Sequence, residues 1–157
     1  MHSQKVTIEL LAVYPDHEPR NEDPHYVYFR EARERLKSLG KLRCWICGTD
    51  QNVELHHDKV EYALINGVDI EKFRETFPEF GISSDEDFLR FVESEGNLTP
   101  LCTLHHRGYL GIHNLPYPLW LPQKFWKSNL PPPARTITED SSENKQHVNE
   151  RENHAKE

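Results

Sequence analysis

The chain has 157 residues and a formal net charge of −7, since 26 acidic side chains outnumber 19 basic ones. Its hydrophobic residues suffice for one compact domain, but no apolar stretch is long enough to span a membrane. The three cysteines are an odd number and exclude a closed set of disulfides, and no segment has the pattern of a secretory signal peptide. We therefore expect a cytoplasmic protein.

The N-terminal quarter predicts one strand and one helix. Residues 6–14 are mostly apolar and rich in strand-forming side chains, so they predict a strand, whereas the proline-rich and charged residues 16–24 predict a loop. Residues 26–39 predict a helix that stops at Gly40. The apolar positions of this helix are Val27, Ala32, Leu36 and Leu39.

Two matched pairs of metal-binding side chains lie far apart in the sequence. Cys44 and Cys47 have the spacing at which two thiolates bind one Zn²⁺ from a single tight turn, and Gly48 allows that turn. Cys102 and His105 repeat the spacing, with an imidazole in place of the second thiolate. Together the pairs predict a closed, structural Cys3His zinc site. The alternative is that Cys47 and Cys102 are small buried apolar residues and Cys44 is incidental.

Four further histidines lie in the same region. If residues 54–57 form a strand, His56 and His57 point to opposite faces, so one can bind a metal while the other faces a different group. His106 follows the last zinc ligand directly, and neighbouring side chains on a helix diverge by about 100 degrees. Two glycines argue against an unbroken helix that reaches His113, but a loop can return it to the same cleft. The alternative for each is an ordinary surface or core histidine.

The segment from residue 60 to residue 96, called the insertion below, predicts two short amphipathic helices. The first has Ile70, Phe73 and Phe77 on one face. The second follows a start at residues 84–87 that suits a helix N-terminus. Its apolar residues are Phe88, Leu89, Phe91 and Val92. We interpret these phenylalanines as core residues rather than as a partner-binding surface.

The C-terminal third predicts an arm and a tail. Prolines in residues 115–133 argue against a regular helix or a central strand, so we expect an extended, aromatic-rich arm packed across the domain. Residues 136–157 have almost no large apolar side chains and predict a disordered polar tail. A single domain over residues 1–135 is the expected organisation.

The charge is distributed unevenly. The insertion carries ten acids against three basic residues, whereas residues 97–138 contain no acid at all and residues 25–47 are net basic. The two basic regions are candidates for contact with nucleic acid, although a charged helix face is more often simply solvated. The candidate DNA-binding side chains are Arg30, Arg33, Lys37, Lys41, Arg43, Arg107, Lys124 and Lys127.

The order of these residues resembles the HNH endonucleases, which are ββα-metal nucleases, with a paired Cys/His zinc site added. The resemblance covers about residues 40–115 and departs from the family in the long span between His57 and Asn97, which we interpret as an insertion. It implies an α+β domain with a ββα-metal core. The matching residues are Cys44, Cys47, Leu55, His56, His57, Asn97, Leu98, Leu101, Cys102, His105, His106, Gly111, Ile112 and His113.

The resemblance also implies a role for each site residue. His57 would be the general base, and Asn97 would order the hairpin loop and that base. His106 would complete a catalytic metal site with His56, and His113 is a less firm third ligand. The metal would be a divalent cation such as Mg²⁺, Mn²⁺, Ni²⁺ or Zn²⁺.

The implied function is metal-dependent hydrolysis of DNA phosphodiester bonds, leaving 5′ phosphate and 3′ hydroxyl ends. Its rivals are a non-cleaving, zinc-stabilised DNA-binding or assembly module and a nuclease that acts on RNA. No separate recognition domain is evident, which indicates low specificity or a protein partner that supplies it. The acidic insertion is our candidate for a partner-facing or substrate-excluding element. Small HNH proteins of this kind occur in phages, mobile elements and restriction systems.

Overall fold

A computed structural model describes Lys5, Thr7, residues 14–17 and residues 19–131. These residues form a small α+β protein with one two-stranded antiparallel sheet and several helices, as the expected fold class requires. Apart from Thr7 and Tyr14, the predicted strand at residues 6–14 lies outside the described residues, and so does the whole predicted tail at residues 136–157. Every helix within the described ranges is too short or too polar to cross a membrane.

The described residues contain five α-helices and two strands. The α-helices are α1 (Tyr26–Ser38), α2 (Ile70–Thr76), α3 (Asp85–Val92), α4 (Thr103–His106) and α5 (Tyr117–Trp120), and the strands are β1 (Val53–His57) and β2 (Leu98–Cys102). In the same described ranges, four 3₁₀ segments accompany them, at Arg20–Glu22, Tyr62–Gly67, Pro78–Phe80 and Leu121–Phe125. The first of these interrupts the region that the sequence predicts to be a loop.

The two strands form an antiparallel hairpin, and the insertion lies between the end of β1 and the start of β2. His57 pairs with Leu98 at one end of the register, and Val53 pairs with Cys102 at the other. On one face of the hairpin, Leu55 and Leu98 are buried against side chains of α1. Because side chains alternate along a strand, Glu54 and His56 project from the opposite face.

Helix α1 has nearly the predicted bounds, and only some of its apolar side chains are buried. Leu39 follows the last helical residue, and Gly40 adopts a positive φ of 66°. Ala32 and Leu36 pack on the hairpin. The apolar side chains of Val27 and Leu39 are instead exposed.

The insertion contains the two predicted helices and its own apolar core. The Ser84 hydroxyl caps α3 by accepting a hydrogen bond from the Asp87 N–H at 3.1 Å. The predicted phenylalanines of both helices, together with Val60, Ile82 and Val92, form this core. Phe88 is 1% exposed, so the interpretation of these aromatic residues as core is confirmed.

The C-terminal arm is helical in part, which corrects the prediction that it contains no regular helix. Pro116 occupies the N-cap position of α5, and Pro118 and Pro122 occupy first-turn positions of α5 and of the following 3₁₀ segment. A proline is tolerated there because the N–H that it lacks has no partner within the helix. Trp120 is buried against the end of β2, whereas Phe125 is 74% exposed.

Asn97 connects the insertion to the hairpin. Its Oδ1 accepts hydrogen bonds from the backbone N–H groups of Lys59 at 2.8 Å and Val60 at 3.1 Å. Its Nδ2 donates to the carbonyl oxygens of Val60 and Val92, each at 2.9 Å. The fully buried amide therefore uses both its donor and its acceptor capacity to fix the chain on either side of the insertion.

Replacing Asn97 by Ala is expected to lower the free energy of unfolding by roughly 2–4 kcal/mol, because several buried backbone groups lose their hydrogen-bond partners. Chemical denaturation of the variant beside the wild type measures this loss. Asn66→Ala is the matched control, since the Asn66 amide makes one exposed hydrogen bond to the Asp16 carbonyl oxygen. Equal losses in the two variants would contradict the anchoring role of Asn97.

His25 links the segment before α1 to helix α3. Its Nδ1 lies 2.9 Å from an Asp23 oxygen, and its Nε2 lies 2.9 Å from a Glu86 oxygen. Burial opposes protonation, but the hydrogen bonds to Glu86 and Asp23 prevail and raise the pKa of His25 above 6.5. The hydrogen bond to His25 in turn lowers the pKa of Glu86.

The contribution of His25 to stability should depend on pH in a defined direction. Because its folded-state pKa is raised, that contribution is present below about pH 6.5 and is lost as the pH rises through the folded pKa. At the acidic end it is lost again when the two carboxylates are protonated. We expect the difference in unfolding free energy between wild type and His25→Gln to be largest near pH 5–6, as measured by denaturation at several pH values. A difference that is constant across pH would contradict the ion-pair assignment.

Candidate metal centres

The four predicted zinc ligands come together from two distant parts of the chain. Cys44 and Cys47 lie in the turn after α1, where Gly48 adopts a positive φ of 76° and its N–H donates to the Cys44 carbonyl oxygen at 2.8 Å. A residue with a side chain is strained at that φ, so the glycine allows the turn. Cys102 ends β2 and His105 lies on α4, and all four ligand atoms lie within 4.8 Å of one another.

The distances in this Cys3His cluster fit a tetrahedral ion. The Sγ atoms of Cys47 and Cys102 lie 3.9 Å apart, and His105 Nδ1 lies 3.6 Å from Cys44 Sγ and 3.2 Å from Cys102 Sγ. Tetrahedral zinc with ordinary bond lengths requires separations of about 3.8 Å between sulfurs and about 3.6 Å between sulfur and nitrogen. The cluster can therefore hold a metal ion such as zinc.

The electrostatics of the cluster favour a thiolate. Burial opposes ionisation of Cys44, but hydrogen bonds from His105 and from neighbouring backbone N–H groups lower its pKa to about 5. Burial raises the pKa of Cys102 to about 11, and the adjacent Cys44 contributes to that rise. One thiolate is thus available near neutral pH, and a bound cation would favour ionisation of the other thiols.

Three other histidines form a second group, called the three-histidine cluster below. The ligand nitrogens of His56, His106 and His113 lie within 4.8 Å of one another, and the Nε2 atoms of His106 and His113 are 3.1 Å apart. His56 is buried at the end of β1, whereas the His113 side chain is 44% exposed. The cluster is therefore open to solvent on one side, unlike the closed arrangement of the Cys3His cluster.

Two features hold the three-histidine cluster in place. The carboxylate of Glu54 accepts a hydrogen bond from His106 Nδ1 at 2.6 Å, which directs His106 Nε2 towards His113. The chain after α4 turns back at Gly111, where any side chain would clash with the His106 carbonyl oxygen. The His113 N–H then donates to that carbonyl at 3.3 Å. As the sequence predicts, a loop rather than a helix returns His113 to the cluster.

His56 is suited to bind a cation. Burial lowers its pKa to about 4, with further lowering by His113 and His106, so the imidazole is neutral near pH 7. Its buried Nδ1 atom has no hydrogen-bond partner among the described residues. A Glu61 oxygen lies 3.4 Å from this atom and 3.7 Å from His113 Nε2. An unpaired buried nitrogen is costly and is satisfied if a metal ion binds.

His57 points away from the three-histidine cluster, as strand alternation predicts. Its ring stacks on Phe29 of α1 with a centroid distance of 6.1 Å, and its Nε2 lies 3.1 Å from an oxygen of the buried Glu93. Arg20 contacts the same Glu93 oxygen at 2.9 Å. His57 is 6% exposed, so it is buried on the side of the hairpin that faces α1.

The candidate DNA-binding side chains do not form a uniform surface. Arg33 donates to the Val53 carbonyl oxygen, Arg43 pairs with Asp50, and Arg107 pairs with Glu54. Lys124 donates to the Trp45 carbonyl oxygen and lies 5.1 Å from the centre of that indole ring. The remaining candidates are exposed and make no ion pair with the described part of the chain; they are Arg30, Lys37, Lys41 and Lys127.

The roles predicted from the sequence did not include the acidic side chains that contact the histidines, which are Glu54 beside His106 and Glu93 beside His57. Glu54 is two residues before His56 on the same strand face, so strand alternation is a signal that can identify it. Glu93 and Arg20 are distant from His57 in sequence and belong to no motif. Only their packing around α1 and α3 brings them together.

Comparisons with protein-family models, with curated proteins and with solved structures found no match to this chain.

The two clusters are expected to respond differently to loss of one ligand. His105→Ala should release one tightly bound zinc ion and unfold the domain at moderate temperature, because structural zinc in zinc-finger peptides supplies about 10–16 kcal/mol of binding energy. His106→Ala, one residue away, should retain that ion and the folded state. Zinc content by elemental analysis and thermal unfolding measure both effects. Equal zinc content and equal stability in the two variants would contradict the structural role of the Cys3His cluster.

Proposed function

We propose that the chain is a metal-dependent HNH endonuclease that hydrolyses DNA phosphodiester bonds. The observation that carries this proposal is the open three-histidine cluster at the end of β1. The next residue of the strand is the buried His57, whose side chain points to the opposite face of the hairpin from His56. The order β1, β2, α4 places these groups on a hairpin and a short helix, which we take to be a ββα-metal unit. The resemblance of the sequence to the HNH family supports the same interpretation.

In this proposal the Cys3His cluster holds zinc and has a structural role. All four ligand positions are filled by protein side chains, so no position remains for substrate. The ion would fix the Cys44 turn to the end of β2 and to the start of α4. That connection sets the position of His106 relative to His56.

The three-histidine cluster would hold the catalytic metal. Its imidazoles are neutral ligands, so they leave the charge of a divalent cation largely intact and leave coordination positions open. When bound, such a cation would stabilise negative charge on a phosphate oxygen and on the leaving 3′ oxygen. Glu54 fixes the orientation of His106, which is the usual function of a carboxylate behind a metal-binding histidine.

His57 would act as the general base that takes a proton from the attacking water. Asn97 has no acid or base function, and its role is to hold Lys59 and Val60, which follow β1, and the Val92 carbonyl oxygen through its four side-chain hydrogen bonds. The exposed lysines Lys37 and Lys41 would contact the DNA backbone, since phosphate contacts supply most of the non-specific affinity. Target specificity would come from a protein partner, because the described residues include no separate recognition domain.

A second candidate function is a non-cleaving, zinc-stabilised binding module. The observation that favours it is the burial of His57, whose Nε2 is already hydrogen-bonded to a carboxylate. In such a module the Cys3His cluster keeps its structural role, and no substrate reaches the histidine. The two functions therefore differ in whether His57 is required for any activity.

The nuclease proposal predicts metal-dependent cleavage that requires His57. Purified protein freed of loosely bound metal by EDTA should nick or linearise supercoiled plasmid when Mg²⁺, Mn²⁺ or Ni²⁺ is added. His57→Ala should reduce the rate by about 100-fold or more, because a general base contributes roughly 10²–10⁴-fold. His25→Ala is the matched control, since His25 lies outside both clusters and should leave cleavage unchanged.

The outcomes of this assay separate the two functions. Cleavage that persists in His57→Ala would contradict the assignment of the base. Absence of cleavage with every metal, from protein that retains its structural zinc, would contradict the nuclease proposal and favour the binding module. Single-stranded RNA tested beside the plasmid distinguishes an RNA-directed nuclease from a DNA-directed one.

A further inference from the structure

Glu93 is one of the most deeply buried side chains of the protein. It lies directly after α3 and is 1% exposed. Its Oε2 atom contacts His57 and Arg20, but its Oε1 atom is buried without a hydrogen-bond partner among the described residues. Burying a carboxylate with one unsatisfied oxygen is unfavourable, so packing alone gives no reason for a glutamate at this position.

The contact between Glu93 and His57 decides which nitrogen of the imidazole carries the proton. Glu93 Oε2 lies 3.1 Å from His57 Nε2. An ionised carboxylate only accepts hydrogen bonds, so this contact requires a proton on Nε2. The Arg20 guanidinium lies farther from Nε2, at 3.4 Å, and its nearer contact is the 2.9 Å bond to Glu93 itself. If Arg20 instead donated to Nε2, that nitrogen would carry no proton. The Nε2 lone pair and the Glu93 carboxylate oxygen, both hydrogen-bond acceptors, would then face each other at 3.1 Å.

Arg20 supplies the charge that the buried carboxylate needs. Its guanidinium lies over the ring of Phe29, 3.8 Å from the centroid, and near the rings of Tyr26 and Tyr62. These aromatic contacts favour a cation at this position. Arg20 therefore compensates the charge of the Glu93 carboxylate, which can accept a hydrogen bond from His57.

We infer that Glu93 is a positioning residue that fixes His57 in the Nε2–H tautomer and leaves Nδ1 as the basic nitrogen. Nδ1 makes no hydrogen bond with the described part of the chain, so its lone pair is available. This inference rests on the proposed function, because it assigns to His57 Nδ1 the proton taken from water. A carboxylate that orients a histidine base in this way stabilises the charge that develops on the imidazole.

The inference also gives the insertion a role in the proposed reaction. Helix α3 belongs to the insertion and is held by the apolar core around Phe88 and Phe91. Asn97 binds the Val92 carbonyl oxygen, one residue before Glu93. The insertion therefore carries the residue that orients the base, a function distinct from contacting a partner or excluding a substrate.

The tautomer of His57 can be measured in the wild-type protein. We expect ¹⁵N-detected histidine spectra of the full, zinc-containing chain at neutral pH to show the Nε2–H form for His57, with the signal assigned by its loss in His57→Ala. The Nδ1–H form would overturn the inference. This measurement requires no cleavage, so it decides the role of Glu93 even if the protein proves not to be a nuclease.

Kinetics provide the second test, in protein shown to be folded and to retain its zinc. Glu93→Gln removes the charge but keeps the shape, and we expect it to lower kcat by about 10–100-fold, with little change in KM for DNA. Glu95→Gln is the matched control, because Glu95 forms an exposed ion pair with Arg35 and should leave kcat unchanged. Combining Glu93→Gln with His57→Ala should give no further loss beyond His57→Ala.

The outcomes of the kinetic test are also distinct. If Glu93→Gln retains wild-type kcat while His57→Ala loses it, the base assignment survives and the role of Glu93 is overturned. If Glu93→Gln fails to fold, the conservative Glu93→Asp variant and the wild-type tautomer measurement still decide whether Glu93 positions His57. A wild type that does not cleave contradicts the proposed function alone.

Discussion

The convergence of Cys44, Cys47, Cys102 and His105 is the constraint on which the rest of the structure depends. A two-stranded hairpin is marginally stable by itself, and here residues 58–97 separate its strands, so closing the pair is entropically costly. The four ligand atoms join the turn after α1 to the end of β2 and the start of α4. A metal ion held by these atoms would fix the register of the hairpin at its Cys102 end.

The opposite end of the hairpin is fixed by Asn97. Its hydrogen bonds hold the two points where the insertion leaves and rejoins the sheet, so a long insertion does not loosen the strands. The hairpin thus has a candidate metal-binding cluster at one end and a buried amide at the other. The side chains of β1 that lie between these anchors, Glu54 and His56 on one face and His57 on the other, acquire fixed directions.

Each histidine of the site depends on a buried or half-buried acid. Glu54 orients His106, Glu61 approaches His56 and His113, and Glu93 contacts His57. Two of these acids belong to the insertion, which explains why the most acidic part of the chain packs against a site proposed to bind DNA. Much of its negative charge is on exposed helix positions, but Glu93 faces inward and is paired with Arg20.

The sequence by itself determined the local elements and the pairs of metal ligands. The bounds of α1, the start of α3 at Ser84 and the divergence of His56 and His57 follow from propensity, capping and strand alternation, which act over a few residues. The arm was predicted incorrectly, because a proline in the first turn stabilises a helix start instead of preventing one.

Only the tertiary structure decided the surroundings of the site. It placed Arg20 and Glu93 beside His57, although both residues are far from His57 in sequence. It also left Val27 and Leu39 exposed. The physical reason is that burial and ion pairing depend on how helices pack on the hairpin, and periodicity within one helix does not encode which neighbour its side chains meet.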